Sequence, residues 1–411
     1  MDFGDTPADA PFRAECRAWL TAAAEPRTGP ASMGALADSD PATERRNVVA
    51  AQAWQAVLAD NAWAGIAWPV EHGGRGGTPR QQAIFDEEQA DFAVPVSVFV
   101  QGIGMAGPTL IAHGTDAQRT RFLRPMLRGE EIWCQLFSEP GAGSDLASLS
   151  TRAERDGDDF VVNGQKVWTS SAQFSDWAIL LARTDLDVPK HRGITYFVVD
   201  MRTPGIEVRP LRQSTGVAHF NEVFLTDVRV PAENVVGDVD GGWAVAMTTL
   251  TNERSAIGGG RSGSVMDELL HLLRTSSPSS SSDPVLRQRV ARAYTHRRIL
   301  TYLGWRARTA VDQGRSPGPE TSVIKLAHSL HQAELGDLGL AVLGAPALEL
   351  DYTALEASPW QVRFLAQWAS RIGGGTEQVQ RNIVAERILG LLREPRPDKD
   401  TPFRPAPAPW P

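Results

Sequence analysis

A segment rich in glycine and hydroxyl groups lies at residues 137–145 and reads Phe-Ser-Glu-Pro-Gly-Ala-Gly-Ser-Asp. A turn of this composition can direct successive backbone N–H groups, together with the hydroxyl of Ser144, at a phosphate. The segment precedes predicted strands, so it matches neither the dinucleotide-binding fingerprint nor the Walker loop. Taken alone, a tight turn without a ligand is the simpler interpretation.

An indole side chain beside two hydroxyl groups follows at Trp168, Thr169 and Ser170. These groups can stack on a flat heteroaromatic cofactor and hydrogen-bond to its edge. A core tryptophan at the end of a strand is the better interpretation as long as the segment is considered by itself. Neither segment is specific without the other.

The spacing of apolar residues changes along the chain and predicts the helices and strands that position these segments. Residues 11–128 show apolar side chains at helical spacing, with a loop predicted at 68–74 and a helix resuming near Thr78. From 131 to 231 the period changes to two, and Asn163-Gly164 is typical of a hairpin turn. Further strands are predicted at 177–181, 195–199, 206–208 and 223–225.

The helical period returns after Gly241-Gly242 and predicts four long helices, which suggest a bundle. These helices are predicted at 243–258, 285–311, 322–343 and 376–391. The serine-rich stretch 276–282 is predicted to be a flexible loop. We therefore expect an α+β protein with an N-terminal helical domain (1–130), a middle β-domain (131–240), a C-terminal helical bundle (241–394) and an extended proline-rich tail (395–411).

Composition narrows the class of protein. The chain has 411 residues, 42% of them hydrophobic and 22% charged, which predicts a folded protein of two or three domains. A net charge of −8 gives no general attraction to nucleic acid or anionic lipid. The two separated cysteines, Cys16 and Cys134, fit a reducing cytoplasm, and neither a secretory signal nor a membrane-inserting segment is predicted. The eight histidines show no ligand spacing, so no metal is expected.

Considered together, Glu139-Pro-Gly-Ala-Gly-Ser-Asp145 and Asn163-Gly-Gln-Lys-Val-Trp168 resemble the middle domain of the acyl-CoA dehydrogenases. The resemblance covers nearly the whole chain, from Ala67-Trp68-Pro69 to the run at 373–381. It implies an N-terminal helical domain, a β-barrel-like middle domain and a C-terminal four-helix bundle, the same order that the periodicity predicts. The implied cofactor is FAD.

The resemblance also implies where the flavin is contacted. Gly143 and Ser144 would lie near the pyrophosphate, Ser170 near flavin N5 and Trp168 over one face of the ring. The full set of implied FAD contacts is Leu136, Ser138, Gly143, Ser144, Trp168, Ser170 and Thr376.

The implied catalytic base departs from the commonest family pattern. Many members carry it in a Tyr-Glu-Gly-Thr segment, but the matching residues 373–376 read Gly-Gly-Gly-Thr. The subgroup that includes isovaleryl-CoA dehydrogenase places the glutamate on the first bundle helix before an arginine, and Glu253-Arg254 matches that placement. The resemblance thus implies Glu253 as base and the Gly374 amide as a donor to the thioester carbonyl. The alternative for Glu253 is a solvated helical residue paired with a neighbour.

The implied reaction is the formation of an α,β double bond in an acyl-CoA, or acyl-carrier, thioester, as in fatty-acid β-oxidation and lipid metabolism. An electron-transferring flavoprotein would reoxidise the enzyme. The missing glutamate side chain and the small residues at 255–260 leave room for a branched or bulky acyl group, although close helix packing explains the small residues equally well. A flavin-dependent monooxygenase on the same scaffold and a noncatalytic partner subunit are the alternative functions.

Two departures bear on oligomeric assembly. The family's Arg-x-x-Phe-Gly segment, which grips the FAD of a neighbouring subunit, is replaced by Leu273-Arg274-Thr275 and the serine stretch. Its Gly-Gly-x-Gly segment is replaced by residues 343–347, Leu-Gly-Ala-Pro-Ala. Contacts across subunits would then come from Arg274 or Arg287, or from an unlike chain as in actinobacterial heterotetrameric members. A homotetramer and a heterotetramer both stay open.

Overall fold

The chain forms three successive groups of elements, and a computed structural model describes residues 5–7, 9–28, 40–258, 263–276, 278–313, 318–352, 359–395 and 400–403. Helices come first, a sheet follows, and further helices complete the chain. This order confirms the α+β fold predicted from the change in hydrophobic period. Across the described ranges, no helix combines the length and the apolarity needed to cross a membrane.

Two of the N-terminal helices begin at well-defined N-caps. Thr78 and Thr115 each form a capping box with a glutamine at the third helical position, which satisfies backbone amides that the first turn leaves unpaired. The loop predicted at 68–74 is present, and Gly73 adopts a left-handed φ of 86° there. The helices are α1 (Asp9–Ala23), α2 (Pro41–Asp60), α3 (Pro79–Gln89), α4 (Gly107–His113) and α5 (Asp116–Leu127).

A seven-stranded sheet forms the middle of the chain. Its strand order is β1-β4-β2-β3-β7-β6, and β5 pairs with β4. β4 and most of β5 are buried, so their sequences are continuous apolar runs. β1 and β2 are short, and the sequence pattern does not predict them. The strands are β1 (Trp133–Leu136), β2 (Arg152–Asp156), β3 (Asp159–Ser170), β4 (Trp177–Arg183), β5 (Ile194–Asp200), β6 (Ile206–Leu211) and β7 (Phe220–Pro231).

The prediction of a hairpin turn at Asn163-Gly164 is wrong. Both residues lie inside β3, which continues from Asp159 to Ser170 and pairs with β7 on either side of an irregularity at Val162/Gly164. The chain reverses earlier, between β2 and β3, where Gly157 has a φ of 62°. A Cβ at Gly164 would lie 2.4 Å from Thr151 Oγ1, so this glycine permits close backbone approach and not a turn.

Helices form at all four segments predicted for the C-terminal part, but the last is α-helical only over Glu377–Ile383 and continues as a π-helical turn to Ile388. Three further helices, α7, α8 and α11, lie between the predicted ones. Part of the serine-rich stretch, predicted to be a flexible loop, forms the one-turn helix α8, because Pro278 fits the first position of a helix. Ser277 lies outside the described residues. The helices are α6 (Gly242–Gly258), α7 (Gly263–Thr275), α8 (Pro278–Ser281), α9 (Pro284–Asp312), α10 (Glu320–Leu343), α11 (Pro359–Ile372) and α12 (Glu377–Ile383).

The described part of the tail packs on the sheet. The Phe403 ring is buried and lies 3.7 Å from the guanidinium carbon of Arg183, and the Phe403 amide donates to Val188 O at 2.8 Å. Residues 396–399 and 404–411 of the predicted extended tail lie outside the described residues.

Helix α6 is held where the three groups of elements meet. The Thr249 hydroxyl lies 2.8 Å from Thr109 Oγ1 on α4 and 3.1 Å from Tyr196 Oη on β5. All three side chains are buried, and their hydroxyl groups bond to one another, while Thr109 Oγ1 also donates to the carbonyl oxygen of Met105 at 2.8 Å. One residue earlier, Thr248 Oγ1 lies 2.8 Å from His113 Nε2. These contacts fix α6 against both the N-terminal helices and the sheet.

Replacing Thr249 by valine keeps the shape of the side chain but leaves the buried hydroxyls of Thr109 and Tyr196 without their shared partner. We expect the free energy of unfolding, measured by urea denaturation, to fall by about 1–3 kcal/mol. Thr295→Val on the exposed face of α9 makes the same chemical change and should alter stability by less than about 0.5 kcal/mol. Equal losses in the two variants would contradict the junction role of Thr249.

Candidate active site

The glycine-rich segment is anchored by a buried ion pair. Lys166 Nζ, on β3, lies 2.8 Å from Glu139 Oε1 and 3.1 Å from the carbonyl oxygen of Phe137. The Lys166 side chain is fully buried and that of Glu139 is 5% exposed. The Val167 amide also donates to Ser138 O at 2.9 Å. The segment 137–145 is therefore fastened to β3 just before Trp168.

The Glu139 carboxylate has a full set of hydrogen-bond donors. Beyond Lys166, it accepts from the Ser150 amide at 2.7 Å, from Ser150 Oγ at 2.9 Å and from the Thr151 amide at 2.9 Å. Burial by itself would raise the pKa of Glu139, but the ammonium of Lys166 and these bonds outweigh it and hold the pKa at about 2. The Glu139 carboxylate is thus ionised at neutral pH. Burial lowers the pKa of Lys166, and the charge of Glu139 and its hydrogen bond oppose that shift.

The outer part of the segment is open. Ala142 and Glu139 exchange two backbone hydrogen bonds of 3.0 Å, which close the turn. Gly143 and Ser144 are exposed, and among the described residues no acceptor is found for either backbone amide. A Cβ placed on Gly143 would meet nothing within 4 Å. Free amides beside open space can receive an anion.

Trp168 is held in a strained conformation that exposes its indole. Its φ is 64°, which is unfavourable for a residue with a side chain, and the β3–β7 register shifts between Lys166 and Thr169. The buried side chains of Lys166 and Thr169 fix the chain on either side, and Trp168 stays 60% exposed. Its ring meets that of Phe220 edge-on at 6.0 Å. A large flat surface is thereby presented at the end of the strand.

The other implied flavin contacts on the sheet differ in accessibility. Ser138 and Ser170 are half-buried, whereas the side chain of Leu136 is fully buried in the core of the sheet. Leu136 can therefore reach a ligand only through its backbone.

A second group of implied site residues lies in the helical bundle around Lys325 of α10. Lys325 Nζ donates to the carbonyl oxygen of Gly375 at 2.5 Å. Burial lowers the pKa of Lys325, and the carboxylates of Glu377 and Glu253 act in the opposite direction. Half-buried Glu253 thus lies within electrostatic reach of Lys325. The same lysine bonds to the glycine run through the Gly375 carbonyl.

The glycine run turns sharply before α12. Gly374 and Gly375 have φ values of 64° and 90°, so both positions favour glycine. The Gly374 carbonyl accepts from Gln380 Nε2 at 3.2 Å. The Thr376 hydroxyl caps α12 by accepting from the Val379 amide at 3.2 Å. With both glycine carbonyls bonded inside the protein, the peptide N–H groups are the polar groups left for a ligand.

The structure thus gathers the implied residues into two groups, one on the sheet and one in the bundle, and α6, which carries Glu253, contacts the sheet through Thr249 and Tyr196. The residue pattern reveals neither the pairing of Lys166 with Glu139 nor the role of Lys325. A single lysine inside the otherwise weakly charged stretch 322–329 is the signal that points to Lys325. Two cavities of about 450 and 550 Å³ lie elsewhere, beside Trp177 and beside His331 respectively.

Three family models match the chain and together cover more than half of it. They are "Acyl-CoA dehydrogenase, N-terminal domain" over residues 33–130, "Acyl-CoA dehydrogenase, middle domain" over 134–228 and "Acyl-CoA dehydrogenase, C-terminal domain" over 240–389. The chain belongs to the acyl-CoA dehydrogenase family, whose members are FAD-dependent oxidoreductases.

Named relatives agree with this assignment. Acyl-CoA dehydrogenase IpdE1 of Mycobacterium tuberculosis is 42% identical over 387 residues, which are 93% of this chain and 98% of that protein. Mitochondrial isovaleryl-CoA dehydrogenase of Pongo abelii is 28% identical over 332 residues, 78% of this chain and 77% of that protein.

Solved structures show the same fold. The Tcur3481-Tcur3483 steroid ACAD is 30% identical, with a TM-score of 0.78 over 96% of this chain and 100% of that one. The ChsE4-ChsE5 complex from Mycobacterium tuberculosis is 30% identical, with a TM-score of 0.77 and the same coverage.

The geometry of the sheet fits FAD. An exposed indole suits the flat isoalloxazine, and two amides without protein acceptors beside open space suit the pyrophosphate. Both features depend on the position of segment 137–145.

Replacing Glu139 by glutamine leaves the Lys166 ammonium buried without a counter-charge. We expect the free energy of unfolding to fall by about 3–5 kcal/mol and bound FAD to be lost. Urea denaturation and flavin absorbance after gel filtration measure the two effects. The double variant Glu139→Gln/Lys166→Met removes the unpaired charge and should recover part of the stability; a double variant no more stable than the single one would contradict this account.

The same ion pair should make the protein sensitive to acid. Because the pKa of Glu139 in the folded protein, about 2, is below the ordinary value of about 4.3, its stabilisation is complete above about pH 5.5. It is lost as the pH falls toward 2. Urea denaturation between pH 5 and pH 2 should therefore show a steeper loss of stability for the wild type than for the double variant.

Proposed function

We propose that the protein forms an α,β double bond in an acyl-CoA thioester with a bulky acyl group, and that Glu253 is the catalytic base. The observation that carries the proposal is the position of Lys325. Its ammonium donates to the carbonyl of Gly375 and lies within electrostatic reach of the Glu253 carboxylate on α6, while the glycine run itself contains no carboxylate.

The proposed roles in the bundle follow from the chemistry of the reaction. The α-proton of a thioester is removed only when a base lies near the α-carbon and a donor stabilises the enolate-like oxygen. Glu253 accepts that proton, and the Gly374 amide donates to the thioester carbonyl. Lys325 positions both groups without contacting the substrate.

The sheet holds the cofactor in this proposal. When bound, FAD supplies the electron sink that accepts the β-hydrogen with its electron pair, which completes the double bond. Trp168 covers one face of the ring, Ser170 and Ser138 hydrogen-bond to its edge, and Gly143 and Ser144 bind the pyrophosphate. Leu136 contributes only its backbone, and Thr376 adds a contact from the bundle.

The proposed acyl group is bulky because glycine takes the place of a glutamate side chain at residue 374. The similarity to a steroid ACAD points in the same direction and suggests a ring-bearing acyl group. Two of the similar solved structures contain two differently named chains, so we include an unlike partner chain in a tetramer. An electron-transferring flavoprotein is the proposed electron acceptor, and the proposed setting is cytoplasmic lipid β-oxidation.

Anaerobic bleaching of the flavin absorbance by a panel of acyl-CoAs tests the reaction and the substrate class together. We expect ring-bearing thioesters to bleach the wild type faster than straight-chain ones. Glu253→Gln should slow bleaching at least 10²- to 10⁴-fold, about the contribution of a general base, because the amide cannot accept the α-proton.

Glu207→Gln is the matched control, since Glu207 lies exposed on β6 and, among the described residues, its side chain bonds with exposed Arg209 alone. It should bleach like the wild type. Bound flavin that no thioester reduces, but that an external reductant does, would favour the monooxygenase. A colourless protein that gains flavin only with a second chain would favour the noncatalytic subunit.

The Lys325→Met variant should slow flavin reduction without weakening the binding of flavin or acyl-CoA. Release of the Gly375 carbonyl displaces the donor and the base by a fraction of an ångström to about 1 Å, which typically costs about 10–100-fold in rate. We therefore expect the limiting bleaching rate to fall while flavin content and half-saturation by acyl-CoA change little. Lys325→Arg keeps a cationic donor and should recover part of the rate. An unchanged limiting rate in Lys325→Met would contradict the proposed positioning role of Lys325.

A further inference from the structure

Helices α9 and α10 bring two imidazoles and a carboxylate together away from the candidate active site. His296 Nδ1, on α9, lies 2.9 Å from Glu334 Oε2, and His331 Nδ1 lies 3.7 Å from the same oxygen. One ligand atom from each of the three residues lies within 4.8 Å of the others. His331 and Glu334 are three residues apart on α10 and therefore share a helix face.

These separations suit a single small metal ion. Bonds of about 2.0–2.2 Å in a tetrahedral site place neighbouring ligand atoms roughly 3.3–3.6 Å apart. The two observed distances to Glu334 Oε2 lie on either side of that range. The ligand atoms of the two imidazoles lie within 4.8 Å of each other, so side-chain rotations that move them by up to about 1 Å would bring the three atoms to the spacing of a tetrahedral site.

The state of His331 is a second, independent indication. Its side chain is 1% exposed, and within the described residues neither ring nitrogen has a hydrogen-bond partner. A neutral imidazole has one donor and one acceptor nitrogen, and leaving both unpaired in the interior is costly. A metal bound to one nitrogen would remove the larger part of that cost.

The surroundings of the cluster leave one side open. A cavity of about 550 Å³ adjoins it, and Arg289, Arg292 and Asp337 lie on the cavity wall. Arg292 Nε is 4.0 Å from the second carboxylate oxygen of Glu334, and the arginine side chain is 73% exposed. The charges of exposed Arg289, Arg292 and Asp337 are therefore all screened by solvent, and the half-buried carboxylate of Glu334 is the charge that favours a cation here.

We propose that His296, His331 and Glu334 bind one Zn²⁺ ion, with the fourth position open to the cavity for water or a small anion. Two imidazoles and one carboxylate form a donor set that binds Zn²⁺ in preference to Mg²⁺ or Ca²⁺. The ion would join α9 to α10, and the dehydrogenation does not use it. Linear spacing does not show this site, because His296 and His331 come from different helices.

The test uses the full-length protein with FAD bound and any purification tag removed. After treatment with a chelator and dialysis, the protein is titrated with Zn²⁺ by calorimetry, and bound metal is counted by elemental analysis. We expect one Zn²⁺ per chain. Co²⁺ should give the visible absorption bands of a tetrahedral site.

His331→Gln and Glu334→Gln should each weaken zinc binding by more than the roughly 10–100-fold that is typical for loss of a residue supporting a ligand. His328→Gln, one turn earlier on α10, removes an imidazole outside the cluster and should bind zinc like the wild type. If His331→Gln fails to fold, as judged by circular dichroism and flavin content, half-exposed His296→Gln replaces it.

Thermal unfolding supplies a second measurement. A ligand that binds only the folded protein raises the unfolding midpoint, so zinc should stabilise the wild type and His328→Gln but neither cluster variant. The proposal is overturned if the wild type binds no stoichiometric zinc. It is also overturned if His328→Gln loses as much affinity as His331→Gln.

Discussion

The buried pair of Glu139 and Lys166 determines the shape of the sheet side of the site. Two charges removed from water are tolerable only because they face each other at 2.8 Å and the remaining oxygen of the carboxylate accepts bonds from Ser150. The pair fixes the glycine-rich turn at one end and β3 at the other. Because the turn is held against β3, the amides of Gly143 and Ser144 stay open on one side. The ring of Trp168 stays exposed on the other.

Strain at Trp168 is sustained by the same arrangement. Lys166 and Thr169 are buried on either side of it, so the backbone cannot relax into a regular strand without exposing a charge or a hydroxyl-bearing core residue. The position therefore exposes an indole that a regular strand would have packed. A cofactor that covers this ring gains apolar contact that the fold leaves unsatisfied.

The bundle side is organised differently, around a helix junction and one buried lysine. Thr249 fixes α6 to α4 and β5, and Glu253 lies one turn further along the same helix face. Lys325 connects that face to the glycine run through the carbonyl of Gly375. Glu253 on α6 and the glycine run before α12 thus both lie within reach of one buried lysine.

The order of helices, sheet and helices follows from the sequence alone, because hydrophobic period and local turn residues act over a few neighbouring positions. The segments Glu139–Asp145 and Asn163–Trp168 likewise identify the family and its cofactor. Local patterns misplace the turn at Asn163-Gly164, since close approach of Thr151 and pairing with β7 keep β3 continuous. The ion pair, the Lys325 contact and the meeting of His296 with His331 join residues distant in sequence, so only the tertiary structure decides them.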